Sequence, residues 1–145
     1  MSWSPEKIVV PVDFSEETEN AVRSALAIVG DASKLHVIHV LFPLDAMSPG
    51  VVWGDTDNES RETHVRQAYD EFLAETGISG MNFETRTGDP GLVITDYATE
   101  IGAGLIVIPS HGYHGLKRLV LGSVAERVIR HADCSVLVLR RGDAD

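Results

Sequence analysis

The sequence is poor in cysteine and in aromatic residues, and it has no long apolar run. Its one cysteine, Cys134, excludes an internal disulfide, as expected in a reducing compartment. No apolar stretch approaches the roughly 18–20 residues needed to span a membrane, and residues 1–7 lack the basic and apolar regions of a signal peptide. We therefore expect a cytoplasmic protein with no membrane partner.

Basic residues are also scarce, with 12 Lys and Arg against 22 Asp and Glu, so the formal net charge is −10. Such a chain is not expected to bind nucleic acid, because neutralising phosphates requires clustered Lys and Arg. The charge is uneven, however. Residues 104–141 carry six basic and two acidic side chains, a net charge of +4, which leaves −14 for the other residues. This local excess is compatible with a small anionic ligand, and equally with ordinary solvated helix faces.

What the sequence does have is a regular alternation of short apolar runs with amphipathic stretches. Its 145 residues, 43% hydrophobic, are expected to form one domain, 1–145. Short apolar runs rich in Val, Ile and Leu predict strands at 7–12, 35–41, 105–109 and 135–140, and an alternating pattern predicts a further strand at 81–86. Helical spacing predicts helices at 15–29, at 60–76, after Asp89-Pro90 and at 122–131, with a long loop at 42–59. The alternation predicts an α/β fold with a parallel sheet and helices on both faces.

The last predicted strand, from Ser135 to Arg140, has no helix after it and is therefore expected at a sheet edge. An apolar edge strand must be covered, because its free backbone groups otherwise pair with other chains. Pairing with the same strand of a second copy is the simplest solution. We therefore expect a homodimer through this strand.

The segment after the fourth predicted strand is the most informative for function, since open parallel sheets bind ligands at the carboxyl ends of their strands. Gly112 and Gly115 permit tight turns and a close backbone approach. Gly122 and Ser123 begin a helix whose free N–H groups can receive a phosphate. Ser123 followed by Val-Ala-Glu also fits the S-x-x-E capping box. From the residues alone, phosphate contact and simple capping both remain open.

The common nucleotide-binding motifs are absent. No G-x-x-x-x-G-K-[ST] loop occurs, and Gly102 and Gly104 do not start a G-x-G-x-x-G fingerprint, because they precede a strand and Val107 stands at the third glycine position. His111 and His114 are three residues apart, but the sequence identifies no third ligand to join them. We expect no metal site and no catalytic residue.

Several segments together resemble the universal stress protein family over residues 7–140. They are the opening VPVDFSEETENAV, the second-strand end IHV, the GDP turn before the third helix, and SHGYHGLKRLVLGSVAERVIRHADCSVLVLR near the end. The nucleotide-binding branch of that family carries G-x-x-G, nine residues, and then G-[ST]. Gly112, nine residues and Gly122-Ser123 fit this spacing.

The resemblance implies a Rossmann-like, three-layer α/β/α fold whose five-stranded, mainly parallel sheet has the order 3-2-1-4-5. It also implies a stress-response role, an ATP ligand held with or without Mg²⁺, and at most slow ATP hydrolysis. Near the adenosine it implies Val12, Asp13 (at the ribose), Val40 (backbone to adenine) and Ile108 (base pocket). Around the phosphates it implies Ser110, His111, Gly112, Gly122, Ser123 and Val124.

One position departs from the family pattern, because the first motif glycine falls on Pro109. Proline fixes φ near −65° and has no N–H to donate. A lost hydrogen bond costs about 0.5–1.5 kcal/mol, or up to roughly tenfold in affinity. Two hypotheses therefore stand: a nucleotide-binding stress protein, and a dimeric interaction protein that has lost ATP binding through Pro109.

Overall fold

The computed structural model describes residues 5–43, 58–110 and 122–140 of the chain. Its strands are β1 (Ile8–Pro11), β2 (Leu35–Leu41), β3 (Asn82–Thr87), β4 (Leu105–Pro109) and β5 (Ser135–Leu139). Its helices are α1 (Thr18–Val29), α2 (Asn58–Thr76), α3 (Pro90–Ile101) and α4 (Ser123–His131), and a 3-10 turn, Ala32–Lys34, precedes β2. None of the helices in these ranges is both long enough and apolar enough to cross a membrane.

The strands form one sheet in the order β3-β2-β1-β4-β5, and every neighbouring pair is parallel. Alternate residues of the strands face opposite layers. On one face, α1 and α2 pack against a core that includes Val10, Val22, Val37, Tyr69 and Val107. On the other, Ile94 of α3 and Val128 of α4 pack with Val9, Ile38 and Ile106 of the strands. The α/β fold and the strand order are therefore confirmed.

The predicted and observed elements differ mainly at their ends. β2 and β4 match the prediction residue for residue, and the start of α3 is also as predicted, because the Asp89 carboxylate accepts the N–H of Leu92 at 3.1 Å and Pro90 is the first helical residue. The predicted start of α1 at residue 15 is wrong, since the helix begins at Thr18. Most of the predicted loop, 44–57, lies outside the described residues, and α2 begins at Asn58 rather than at residue 60.

Candidate functional site

The strand order reverses between β1 and β4, which makes this the switch point where such sheets bind ligands. The two strands pair only at Ile8 with Leu105 and Val9 with Ile106. Both strands nevertheless continue, β1 to Pro11 and β4 to Pro109. We call the segments beyond the paired register, residues 10–11 and 107–109, the β1–β4 seam.

Pro11 is the first reason why the pairing stops. The next residue, Val12, donates its N–H to the carbonyl of Ile38 on β2 at 2.9 Å. Successive residues of a strand direct their backbone groups to opposite neighbours, so the nitrogen of Pro11 faces β4. In a regular ladder an N–H at this position would bond to the carbonyl of Val107, and proline has none to offer.

Pro109 is the second reason, by the same logic on the other strand. Ser110 donates its N–H to the carbonyl of Leu139 on β5 at 3.0 Å, so the nitrogen of Pro109 faces β1. Pro109 keeps its place opposite Leu139, so the β4–β5 pairing is intact. The two donors that would extend the β1–β4 ladder are therefore both missing, and the chemistry of the chain itself keeps the seam open.

Asp13, predicted at the ribose, lies half-buried just beyond β1. Its Oδ1 accepts the N–H of Ser15 at 3.0 Å and lies 3.5 Å from the hydroxyl of Thr18. Phe14 between them has a positive φ of 61°. Neither Asp13 nor Ser15 caps α1, because the N-cap is Glu17. Asp13 instead closes the turn that precedes the helix, which is why α1 starts later than its pattern predicts.

His39 on β2 connects with the same turn. Its Nδ1 lies 2.8 Å from the carbonyl of Val12, which it can meet only as a donor, and its ring is 5.6 Å from that of Phe14. Burial lowers the pKa of His39 below its usual value, although the Val12 bond and Asp13 act against it; Arg61 lowers it further. The imidazole is therefore neutral near pH 7 and serves to hold Val12 in place.

Arg61, in the first turn of α2, is a cation that the sequence patterns did not single out. It is buried at the carboxyl end of β2, where its Nη2 donates to the carbonyl of Phe42 at 2.6 Å. Its Nη1 is buried and has no hydrogen-bond partner in the part of the chain that the structure describes. A buried donor without a partner costs free energy. An acceptor that binds Nη1 would therefore stabilise the protein.

The apolar residues predicted at the ligand divide between the two faces of the sheet. Val40, Ile108 and Val124 come together in the cluster beneath α3 and α4. Val12 instead packs in the cluster beneath α1 and α2. The structure therefore brings three of the four into one apolar cluster and places the fourth, Val12, on the opposite face of the sheet.

The predicted phosphate-binding end is fixed by a bond between two residues that flank it in the sequence. Gly122 donates its N–H to the carbonyl of Ser110 at 2.7 Å, which brings the start of α4 to the end of β4. Gly122 is the N-cap, with an extended backbone at φ −65° and ψ 152°. The capping-box prediction for Ser123 is therefore wrong, because Ser123 is already the first helical residue. His111, Gly112 and Gly115 lie outside the described residues.

A cavity of about 150 Å³ lies between the starts of α3 and α4. Its lining comes from β2's end and from both helices: Phe42, Asp89, Pro90, Gly91, Ser123, Val124 and Arg127. Phe42 is 45% exposed. The sequence patterns identified Ser123 and Val124 but missed Arg127, whose signal is its position one helical turn after Ser123. Among the described residues, no group of three or more His, Cys, Asp or Glu side chains is placed to hold a metal ion.

The sequence model of the Universal stress protein family matches residues 5–140. The chain belongs to this family. Among curated relatives, the universal stress protein Sll1388 of Synechocystis sp. is 26% identical over 149 residues, covering 92% of this chain and 97% of its own length. The family accounts for the agreement between the motifs and the observed strand order.

Solved structures give the same result for the fold. The structure of the hypothetical protein MJ0577, from which that protein's biochemical function was assigned, aligns with a TM-score of 0.74 at 27% identity and covers 96% of this chain and 99% of its own. A universal stress protein in complex with cAMP aligns with a TM-score of 0.61 at 23% identity, covering 95% and 98% of the two chains. At that identity the second likeness is one of fold.

Proposed function

We propose that this chain is a small, single-domain, cytoplasmic ATP-binding protein of the stress response. The observation that carries the proposal is the open β1–β4 seam, with the start of α4 beside it. Gly122 and Ser110 are bonded to each other there, so a ligand along the seam reaches the free N–H groups of the first turn of α4. Those groups and the helix dipole favour an anion.

The proposed nucleotide has its adenosine at the ends of β1 and β2 and its phosphates at α4. Asp13 faces the ribose with a carboxylate whose Oδ1 is already oriented by Ser15, and the buried Val40 and Ile108 support the base. The complete set that we propose at the nucleotide is Val12, Asp13, Val40, Ile108, Pro109, Ser110, His111, Gly112, Gly122, Ser123 and Val124. Mg²⁺ would accompany the phosphates, and hydrolysis would be slow at most.

A thermal-shift titration with ATP, ADP and AMP tests this function. A ligand that binds only the folded chain adds about 2.7 kcal/mol of stability at 100 times its dissociation constant, so we expect the melting temperature to rise with nucleotide concentration. Adenosine and inorganic phosphate, each added alone, serve as controls for the two halves of the ligand. An unchanged melting temperature at millimolar nucleotide would rule the function out.

Pro109 supports a second candidate, a dimeric interaction protein that does not bind ATP. Its missing N–H faces the seam, where the family motif has a glycine able to donate. If this loss is decisive, Pro109→Gly creates ATP binding that the original chain lacks. Equal affinity in the original and the variant, measured by calorimetry, removes the basis of this candidate.

Both candidates include a homodimer through β5. This strand is at the sheet edge, and its Leu137 is 37% exposed, with Val136 and Val138 half-buried. A dimer would cover these side chains and the free edge. Light scattering of the original chain and of Leu137→Asp tests it, because a charge at this position would leave a monomer. A monomer in both cases contradicts the dimer.

A further inference from the structure

Arg127 is placed to reach the proposed phosphates. It lies one turn after Ser123 on α4, and both residues line the cavity of about 150 Å³ between the starts of α3 and α4. Side chains four residues apart lie on the same face of a helix. A phosphate at the first turn of α4 is therefore within reach of a long, forked cation on the same face.

Gly91 fixes the course of the Arg127 side chain. A Cβ at Gly91 would lie 2.6 Å from both Cβ and Cγ of Arg127, closer than atoms can approach. The aliphatic part of Arg127 therefore crosses the first turn of α3 at the one residue that has no side chain. This crossing directs the guanidinium toward the cavity and toward Asp89.

Asp89 is the present partner of Arg127, and the contact is weak. Nη1 of Arg127 lies 3.3 Å from Oδ2 of Asp89, and the two side chains are 51% and 46% exposed. The same Oδ2 accepts the N–H of Leu92 to cap α3. Exposed ion pairs contribute little to stability, so exchanging this partner for another anion costs little.

We propose that Arg127 selects for phosphate at this site, and that the ligand phosphate displaces Asp89 from it. The inference rests on the proposed nucleotide function. A phosphate carries more charge than the shared carboxylate oxygen, and it matches the guanidinium fork with two parallel hydrogen bonds. The ligand class is a nucleotide with a chain of phosphates, since a nucleoside offers nothing for Arg127 to bind.

The proposal predicts opposite changes in ATP affinity for two substitutions. Arg127→Ala removes the phosphate contact and is expected to weaken ATP binding by about 10- to 100-fold, while adenosine binding stays within about twofold. Asp89→Asn keeps a side chain able to cap α3 but removes the competing charge, so ATP binding is expected to tighten by about two- to fivefold. A purely structural ion pair would make both variants weaker or leave both unchanged.

Arg130→Ala is the matched control. Arg130 lies on the same helix, carries the same charge and is paired with Glu126 at 3.1 Å, but it does not line the cavity. If Arg130→Ala weakens ATP binding as much as Arg127→Ala, the effect is one of overall charge and the proposal is wrong. The melting temperature of each ligand-free variant reports any loss of folding separately.

Calorimetry of the full chain and the three variants with ATP, AMP, adenosine and inorganic tripolyphosphate completes the test. Arg127-dependent binding of ATP and tripolyphosphate supports the proposal. Binding of tripolyphosphate through Arg127 without binding of any nucleotide would contradict the nucleotide function and leave the phosphate role of Arg127 supported. Equal loss of ATP and adenosine in Arg127→Ala, or weaker ATP binding in Asp89→Asn, would overturn the proposal.

Discussion

Two openings in the molecule differ in size and in charge, and the smaller one is the better place for an anion. The larger, about 460 Å³, lies between the start of α1 and the later turns of α2, and we call it the acidic groove. Its apolar lining includes Phe14, Ala68 and Phe72, and its charged lining is Glu16, Glu19, Glu71 and Glu75. The cavity at α4, about 150 Å³, contains Arg127 and Ser123.

The comparison shows that a helix start is not enough to bind an anion. α1 begins at the acidic groove as α4 begins at its cavity, and both first turns have N–H groups without a partner inside the helix. At α1 the N-cap is Glu17, with Glu16 and Glu19 on either side. These carboxylates themselves interact favourably with the positive end of the helix dipole, and they repel an external anion. Of these two helix starts, that of α4 has a cation, Arg127, in the adjoining cavity, whereas the described lining at α1 holds none.

The largest expected effect comes from making the start of α4 resemble that of α1. Ser123→Asp places a carboxylate at the first helical residue, where it favours the helix but faces the proposed phosphates. Because like charges in contact cost several kcal/mol, we expect ATP affinity to fall by at least about 100-fold. Ser123→Ala is the neutral control and should lose about tenfold or less. Calorimetry measures both, and unchanged affinity in Ser123→Asp would place the phosphates elsewhere.

The next effect concerns the seam rather than the charge. In the double variant Pro11→Ala/Pro109→Ala, the two missing N–H groups are restored and can extend the β1–β4 ladder. Hydrogen exchange followed by NMR should find both new amides protected, and ATP affinity should fall by about tenfold, since a ligand must compete with one or two hydrogen bonds. Rapid exchange at both positions would contradict the assignment of these nitrogens to the seam. Tighter ATP binding would instead favour the view that Pro109 has removed a ligand contact.

A smaller effect follows from His39, which lies on the side of the acidic groove. Its pKa is lowered in the folded chain, chiefly by burial, so the unfolded chain takes up protons more readily. The contribution of His39 to the free energy of unfolding is therefore fully present above about pH 6.5, and it is lost as the pH falls below that value. Urea denaturation at pH 7.5 and 5.5 should show this loss, and His39→Gln should reduce it. His64→Gln, at an exposed helix position, is the control. An equal loss in His39→Gln and the original chain would contradict the role of His39.

The elements that were predicted correctly and those that were not differ for physical reasons. β4 was predicted residue for residue because burial on both faces makes the whole strand apolar, and β2 because only His36 and His39 interrupt its apolar residues. The start of α1 was not, because a side-chain bond from Asp13 and the positive φ of Phe14 delay the helix. The capping box at Ser123 fitted as a pattern, but Gly122 can adopt the cap conformation one residue earlier.

The candidate site was predictable in its location and not in its chemistry. The alternation of strands and helices predicted ligand binding at the carboxyl ends of the strands, and the family resemblance implied the ends of β1 and β4. The direction in which Pro11 and Pro109 present their nitrogens depends on which backbone groups bond to which neighbouring strand, and that is known only from the hydrogen bonds of the sheet. The approach of Arg127 to Gly91 likewise depends on the packing of α3 against α4. Such contacts between distant parts of the chain leave no local pattern.

The smallest expected effect is the one that tests the contrast between the two openings most directly. Glu71→Lys reverses a charge in the acidic groove on the exposed side of α2. If the nucleotide lies at α4, its affinity should change by less than about twofold, because charges far apart in salt solution are largely screened. Glu71→Gln separates the loss of a negative charge from the gain of a positive one. Calorimetry with ATP at 0.15 M salt measures both variants, and a gain of tenfold in Glu71→Lys would mean that the anion also binds at the larger opening, which would contradict its placement at α4 alone.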